Sequence, residues 1–91
     1  MNAKKPYILK SGETIQEYTF GDDDRGVIAS DIITQNIPKK DGDSFDKHMV
    51  VVEHDDFDIQ TIVLLTPGQF TKLIDIQNKV GLIGRRFYTK S

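Results

Sequence analysis

Two histidines, His48 and His54, lie on either side of the apolar run 49–52. Imidazole is the side chain that most readily exchanges protons near neutral pH, and it is a frequent metal ligand. If both residues belong to one strand, a rise of about 3.3 Å per residue puts them on the same face but about 20 Å apart. They cannot then share a metal ion or a proton, and we predict that both are ordinary surface or edge histidines.

Acidic residues are concentrated in three stretches, 22–24, 41–46 and 53–58. Clustered carboxylates can bind Ca²⁺ or Mg²⁺. The stretch 41–46 nevertheless lacks the spacing of an EF-hand loop, because its glycine stands second rather than sixth and no glutamate stands twelfth. We therefore predict no metal site and interpret all three stretches as solvated connections between strands, since Asp and Gly favour turns.

Groups that could act as nucleophiles are few. The chain has no Cys, which excludes disulfides, thiolate zinc sites, iron–sulfur clusters and cysteine nucleophiles. No serine lies in the strand–turn–helix context of a nucleophile elbow. Gly81 and Gly84 do not form a phosphate loop, because no Lys-Ser or Lys-Thr directly follows either glycine and no helix starts there. The sequence predicts no catalytic residue, no cofactor and no enzyme; a metal-assisted hydrolase, the third function considered, would need a tight divalent-ion site.

Cations and aromatic rings alternate near both ends of the chain. This pattern suits single-stranded nucleic acid, because cations follow the phosphates while rings stack on the bases. The alternative interpretation is that the rings pack against the edge of the sheet while the charges stay in water. The candidate nucleic-acid-binding residues are Lys4, Lys5, Tyr7, Arg85, Arg86, Phe87 and Tyr88.

Composition restricts the class of protein further. The 91 residues (10.3 kDa) fit one domain, 1–91, and carry 14 acids against 12 bases. A net charge of −2 argues against a dedicated duplex DNA binder, and a chain of this size has little core in which to build a large cofactor pocket. The N-terminal residues do not resemble a signal peptide, and the apolar runs are far shorter than the ~20 residues of a membrane span. The lack of Cys favours a reducing compartment, so we predict a cytoplasmic protein without membrane contact.

Segments rich in β-branched and aromatic residues alternate with the acidic stretches. Such segments are typical of strands, because these side chains pack well on a pleated surface. They predict an antiparallel sheet of four to five strands. The segments are 14–20, 27–37, 49–52 and 59–65, with a short edge strand at 7–9 and either a strand or a tail at 84–88.

One helix is well specified, over 67–80. Thr66 and Gln69 form a capping box, and Pro67 suits the first helical position because that position needs no N–H. Gly81 is a natural C-terminal cap. We predict an α+β fold in which this helix packs across one face of the sheet. The apolar residues expected on its inner face are Phe70, Leu73, Ile74 and Val80.

Two short segments resemble parts of a known family. The run 62–73, Ile-Val-Leu-Leu-Thr-Pro-Gly-Gln-Phe-Thr-Lys-Leu, is similar to the strand-to-helix junction of positive-cofactor-type transcriptional coactivators. The run 25–32 resembles an internal strand of the same family. The resemblance implies four antiparallel strands before one helix, with strand faces that bind single-stranded DNA. The chain differs from the family in its acidic insertion at 41–58 and in strands that lack the family's Lys and Arg.

Together these features predict a small non-catalytic binding module that acts through protein–protein contacts, of the inhibitor or adaptor type that viruses and mobile elements encode. Its acidic face would dock a partner with a basic surface, since complementary charge raises association rate and selectivity. An exposed edge strand, at 7–9 or around Phe87, would also permit a homodimer by strand addition, so monomer and dimer both stay open. The predicted acidic face consists of Asp22, Asp23, Asp24, Asp55 and Asp56.

Overall fold

The computed structural model describes residues 1–8 and 11–90, apart from the side chain of Tyr7. Within these residues the chain forms nine strands and one helix. In chain order they are β1 (Asn2–Ala3), β2 (Tyr7–Ile8), β3 (Thr14–Ile15), β4 (Glu17–Thr19), β5 (Arg25–Ile28), β6 (Ile33–Pro38), β7 (Ser44–His54), β8 (Gln60–Leu64), α1 (Pro67–Val80) and β9 (Arg86–Tyr88).

Seven of the strands form a curled, mostly antiparallel sheet, which makes a half-barrel in an α+β fold. Its order is β1-β4-β8-β7-β5-β9, and β6 pairs with β7 beside β5. The pairing of β4 with β8 is parallel, while β2 and β3 form a separate antiparallel ribbon. The prediction of four to five strands was too low, because both ends of the chain add an edge strand and because the predicted strand over 27–37 is divided into β5 and β6. The predicted strand over 14–20 is also divided, and only its second part, β4, belongs to this sheet.

The longest strand, β7, is the central strand of the sheet and pairs with three other strands. Its 11 residues pair with β8 along one edge and with both β6 and β5 along the other. The sequence had suggested a turn over 41–46, but the turn is tighter and earlier. The N–H of Lys39 donates to the carbonyl of Asp43, and Gly42 takes a φ of 92°, which favours glycine. Asp46 therefore lies inside β7 rather than in a connection.

The predicted strand over 27–37 is interrupted, which corrects the prediction. After β5 ends, the N–H of Ala29 still bonds to Val51, but the next ladder position is taken by a side chain, because Ser30 Oγ accepts the Val51 N–H at 2.9 Å. The N–H of Ile32 then donates to Gln77 Oε1 of the helix at 2.8 Å. The chain leaves and rejoins the same edge of β7.

The helix spans Pro67–Val80 as predicted, and the reciprocal bonds of the capping box between Thr66 and Gln69 are both present. Gly81 ends it with a φ of 83°. The inner face was only partly predicted. Val80 is 64% exposed, and the helix residues that pack against the core are Leu73 and Ile76.

The core is small, as expected for a chain of this length. The segment after the helix contributes to it directly, since Leu82 is fully buried and β9 pairs with β5. The tract 84–88 is therefore a strand edge and not a tail. The buried apolar cluster consists of Ile28, Val50, Val52, Val63 and Leu82.

Candidate functional site

A buried polar group joins the first residue of the chain to the end of β7, the central strand of the sheet. Asp24 and His54 are 3% and 5% exposed. Asp24 Oδ1 accepts hydrogen bonds from the α-amino group of Met1 at 2.6 Å and from His54 Nε2 at 2.9 Å, and Oδ2 accepts one from the Gly21 N–H at 2.7 Å. We call Asp24, His54 and the groups bonded to them the Asp24 cluster.

The hydrogen bonds fix the tautomer of His54. Its Nδ1 accepts from the Asp56 N–H at 3.0 Å, so the ring proton is assigned to Nε2, which donates to Asp24. The ring packs beside Phe57, with centroids 4.7 Å apart. Both ring nitrogens are thus occupied by internal bonds, and the arrangement orients the chain rather than presenting a base to a substrate.

The charge of Asp24 is stabilised by its neighbours. Burial by itself would raise the pKa of this carboxyl group. The hydrogen bonds from the Met1 α-amino group, the Gly21 N–H and His54, together with the positive charge of the amino group, outweigh burial and hold the pKa below its ordinary value. Asp24 is therefore an ionised group in the interior, with its partners around it.

Some carboxylates of the predicted acidic face bond to residues of the C-terminal strand β9. Asp55 Oδ2 accepts from Arg86 at 2.8 Å, and Asp23 Oδ1 accepts from the Tyr88 hydroxyl at 2.9 Å. Asp24 is buried, as described above. The structure does bring the stretches 22–24 and 53–58 together around His54. Of the five predicted residues, Asp22 and Asp56 are exposed and their carboxylates accept no hydrogen bond from any described residue, although Asp56 Oδ2 lies 4.0 Å from His54 Nδ1.

The basic and aromatic tract at the C-terminus is also engaged internally. Arg85 Nε donates to the Gly81 carbonyl at 2.8 Å, and Arg25 lies over the Tyr88 ring at 4.7 Å from its centroid. Phe87 is half-buried and meets Phe20 edge-on, with centroids 5.2 Å apart. This ring packs against the core, in keeping with the alternative interpretation offered for it.

Lys4 and Lys5 lie elsewhere, in a groove that Arg85 and Arg86 do not line. The side chain of Tyr7, the remaining candidate, is outside the described residues. The groove has a volume of about 760 Å³ and runs between the β6–β7 hairpin, the end of β8 and the start of α1. Six apolar side chains line it. They are Ile37, Phe45, Leu64, Leu65, Pro67 and Phe70.

We call this groove, with Lys4 and Lys5 at its edge, the lysine-rimmed groove. One of its walls contains a stacked pair of rings. His48 and Phe70 are nearly parallel, with centroids 3.7 Å and ring planes 11° apart. Thr34 Oγ1 lies 2.9 Å from His48 Nδ1 and holds the imidazole in this orientation. Phe70 was predicted to face the core, but it is half-buried and packs against His48 at the groove. Phe45 is 46% exposed, so part of its ring is available to another molecule.

The charge of the groove is mixed, with cations at the rim. Lys47 Nζ bonds to Glu17 Oε1 at 2.5 Å, and both side chains are mostly buried, at 17% and 11% exposed. Among the described residues, no salt bridge involves Lys4 or Lys5, which are both exposed. The first turn of α1 also lies here and contains no acidic residue, so the helix dipole adds a partial positive charge, although Thr66 already accepts the N–H groups of Gln69 and Phe70.

No protein family, curated protein or solved structure matches this chain. Function therefore has to follow from the chain's own geometry. Within the described residues, no group of three or more His, Asp or Glu side chains is placed to hold a metal ion. In the same part of the chain, no helix has the length and hydrophobicity that a membrane crossing requires.

Sequence reasoning missed the groove for identifiable reasons. Phe45 and Lys47 were assigned to a turn or its border, and the turn hypothesis concealed that they lie on β7. Glu17 and Lys47 are 30 residues apart, and only the pairing of β4, β8 and β7 brings them together. There was no clear signal in the sequence there, because Phe45 is followed by three polar residues and then by the apolar run 49–52, without the alternation that is typical of a strand with two different faces.

Proposed function

We propose that the protein is a small non-catalytic module that binds a segment of a partner protein in the lysine-rimmed groove. The observation that carries the proposal is the combination of an open apolar floor with a cationic rim. A concave surface of this kind loses water favourably when apolar side chains fill it. Polar groups at the rim then fix the orientation of what is bound.

Phe45 is the expected anchor of the interaction. Its ring is 46% exposed, and it stands on β7 opposite Ile37, which lines the same groove. Aromatic residues that become fully desolvated at the centre of an interface tend to dominate its binding energy. The His48–Phe70 stack lines another part of the groove, on the opposite face of β7, because residues 45 and 48 are an odd number of positions apart on one strand.

The charges favour a partner segment that carries carboxylates. Lys4, Lys5 and the start of α1 present positive charge at the rim. Of the acids in the groove, Glu17 is paired with Lys47, and Asp46 accepts a hydrogen bond from Asn36. A segment that combines apolar and acidic residues would therefore complement the groove in shape and in charge.

This partner differs from the one that the sequence suggested. Docking of a basic surface on the acidic face stays a prediction, but its support is weaker because Asp24 is buried and because Asp23 and Asp55 bond to β9. The remaining exposed acids, Asp22 and Asp56, are next in the chain to residues whose partners include cations. Asp55 pairs with Arg86. Asp23 bonds to Tyr88, over whose ring Arg25 lies. Attraction of a basic partner to such a mixed surface would be small.

The experiment compares binding of short fluorescein-labelled peptides by anisotropy. One peptide alternates Glu with Leu, and the matched peptide alternates Lys with Leu. We expect the acidic peptide to bind, and we expect Phe45→Ala or the double variant Lys4→Glu/Lys5→Glu to weaken it several-fold. The controls are Ile83→Ala and Lys72→Glu, which alter an exposed apolar residue and an exposed lysine outside the groove.

Two outcomes would overturn the proposal. Equal affinity in the groove variants and in wild type would show that the acidic peptide binds elsewhere. Preference for the basic peptide, lost on charge reversal at Asp22 and Asp56, would instead favour the acidic face.

Single-stranded nucleic acid is a second candidate for the same groove. Lys39 Nζ lies 5.7 Å from the centre of the Phe45 ring, so a cation and an exposed ring are adjacent beside Lys4 and Lys5. The net charge of −2 opposes it. A labelled oligo-dT strand, titrated at two salt concentrations, tests it, because phosphate contacts make affinity fall steeply with salt. Tight binding that disappears in Lys4→Glu/Lys5→Glu would put this function first.

A further inference from the structure

The outer edge of β6 is an exposed strand without charged residues. Its sequence, Ile-Thr-Gln-Asn-Ile-Pro, contains no Lys, Arg, Asp or Glu, and five of its six residues are exposed. Within the described residues β6 pairs with β7 and with no other strand. An unpaired edge of this length is a template for a further strand unless charge or proline protects it.

The backbone groups that face outward can be identified from their neighbours. The carbonyl of His48 accepts a hydrogen bond from the Leu65 N–H, so the backbone N–H and C=O of His48 point toward β8. In an antiparallel ladder these groups alternate, so the N–H and C=O of the next residue, Met49, point toward β6. Met49 is the partner of Ile33, so the backbone N–H and C=O of Ile33 bond to β7, and those of Thr34 point away from β7 to the free edge. The same alternation directs Asn36 outward, two residues further along.

Two further residues mark the limits of this free edge. Pro38 occupies the next outward position, where the missing N–H breaks no bond to β7. At the other end the outward N–H of Ile32 already donates to Gln77 Oε1. The free edge therefore presents the N–H and C=O groups of Thr34 and Asn36, which can form four hydrogen bonds with one added strand.

We propose that this edge pairs with the same edge of a second copy of the chain, antiparallel, about a two-fold axis at Gln35. In this register Thr34 lies opposite Asn36 of the second copy, and the reverse pair is identical by symmetry. All four outward N–H and C=O groups are then satisfied in each copy. Gln35 lies opposite its own counterpart on the axis.

The side chains in this register are self-complementary, which is the reason for choosing a second copy over an unrelated strand. Ile33 lies opposite Ile37 of the second copy, on the face where each already has an apolar partner on β7. Ile37 is paired with Phe45, and Ile33 with Met49. The dimer would therefore join the Met49–Ile33 pair of each copy to the Ile37–Phe45 pair of the other copy, which makes two symmetry-related apolar rows across four strands. Ile33, which is 43% exposed in one copy, would be covered.

The strand carries no charge that would repel a copy of itself, and an isologous contact of this kind closes after two subunits. A heterologous contact through the same edge would leave further edges open and produce fibres. The symmetric register therefore explains how an edge without protecting charges can pair with a second copy and stop at a dimer.

Charge exchange at Gln35 tests the axis itself. Because the two copies of residue 35 face each other, Gln35→Lys or Gln35→Glu alone would place like charges together. An equal mixture of the two variants would place opposite charges together. We expect light scattering after size exclusion, at low salt, to give a dimer for wild type, a monomer for each variant and a mixed dimer for the mixture. Asn78→Lys, which adds a charge on the exposed side of α1, is the control and should stay dimeric.

Asn36→Pro tests the hydrogen bonds. It removes an outward N–H and no backbone bond to β7, but it also removes the side-chain bonds of Asn36 to Ser44 and Asp46, which Asn36→Ala removes by itself. The hairpin should persist by circular dichroism in both variants, while the dimer should be lost in Asn36→Pro and kept in Asn36→Ala. A wild-type protein that is monomeric at all concentrations would overturn the proposal. So would a dimer that survives Asn36→Pro, or a mixture of the charge variants that gives no mixed dimer.

Discussion

The two histidines of β7 share a strand and a face, yet they have opposite surroundings. His54 is 5% exposed, and hydrogen bonds inside the protein occupy both of its ring nitrogens. His48 stacks on Phe70 in the wall of an open groove, next to exposed lysines. One end of the strand is therefore a closed structural cluster and the other is an available surface. Residue type and spacing did not distinguish them, but the elements packed around each end did.

The largest expected effect comes from removing the centre of the closed end. Asp24→Ala would leave the Met1 α-amino group, the Gly21 N–H and the His54 N–H buried without their acceptor. Breaking a buried charge pair in this way typically costs about 3–5 kcal/mol. Urea denaturation measures it. Asp22→Ala, two residues away and exposed, is the control and should change stability by less than about 0.5 kcal/mol.

The pH dependence of stability tests the same cluster by a second route. Because the folded protein holds the pKa of Asp24 below its ordinary value, the unfolded chain binds this proton more readily. The stabilisation is present above the ordinary value of about 3.9 and is lost as the pH falls from there through the folded pKa. We expect the free energy of unfolding of wild type to fall more steeply below pH ~5 than that of Asp24→Asn. Parallel curves would mean that Asp24 does not titrate differently in the two states.

The capping box of α1 stands at the border of the open end. Thr66→Ala removes the side-chain acceptor of the Gln69 N–H, which should lower stability by about 1 kcal/mol. Thermal unfolding provides the measurement. Thr71→Ala is the matched control, because Thr71 bonds within the helix to the Pro67 carbonyl and caps nothing. Equal losses in the two variants would show that the box is not a special source of stability.

The smallest effect concerns the ring stack in the groove. A double-mutant cycle with His48→Ala and Phe70→Ala should give a coupling energy of about 0.5–1 kcal/mol, the usual contribution of an aromatic pair beyond its buried area. Phe70 is half-buried, so its own loss should be well below that of a core phenylalanine. A large loss in Phe70→Ala with no coupling to His48 would place the ring in the core and remove the wall from the groove.

Features determined within a few residues were predictable from the sequence. The helix from Pro67 to Val80 is an example, because Thr66, Pro67 and Gln69 encode its start locally. The Asp24 cluster was not predictable, since Asp24 and His54 are 30 residues apart and their meeting depends on β5 and β7 pairing in one register. The parallel contact of β4 with β8 is likewise a long-range choice, and neither strand carries a local signal for it.

The division of one predicted strand into β5 and β6 shows the same limit. Residues 27–37 are rich in isoleucine throughout and have no glycine or proline before Pro38. What interrupts the strand is tertiary, because Gln77 of the helix takes the Ile32 N–H and Ser30 takes a ladder position with its hydroxyl. The groove residues were missed in turn because their assignment depended on where this hairpin begins and ends.

The hydroxyl of Ser30 has a consequence for amide exchange. At this one position of β7, the Val51 N–H is held by a side chain instead of a carbonyl, between the part of the ladder formed with β5 and the part formed with β6. The hairpin beyond it is mostly exposed, whereas Val50 and Val52 are fully buried. We expect the β6–β7 hairpin to open as a unit of its own and to exchange its amide hydrogens early, with the boundary between fast and slow exchange at Val51.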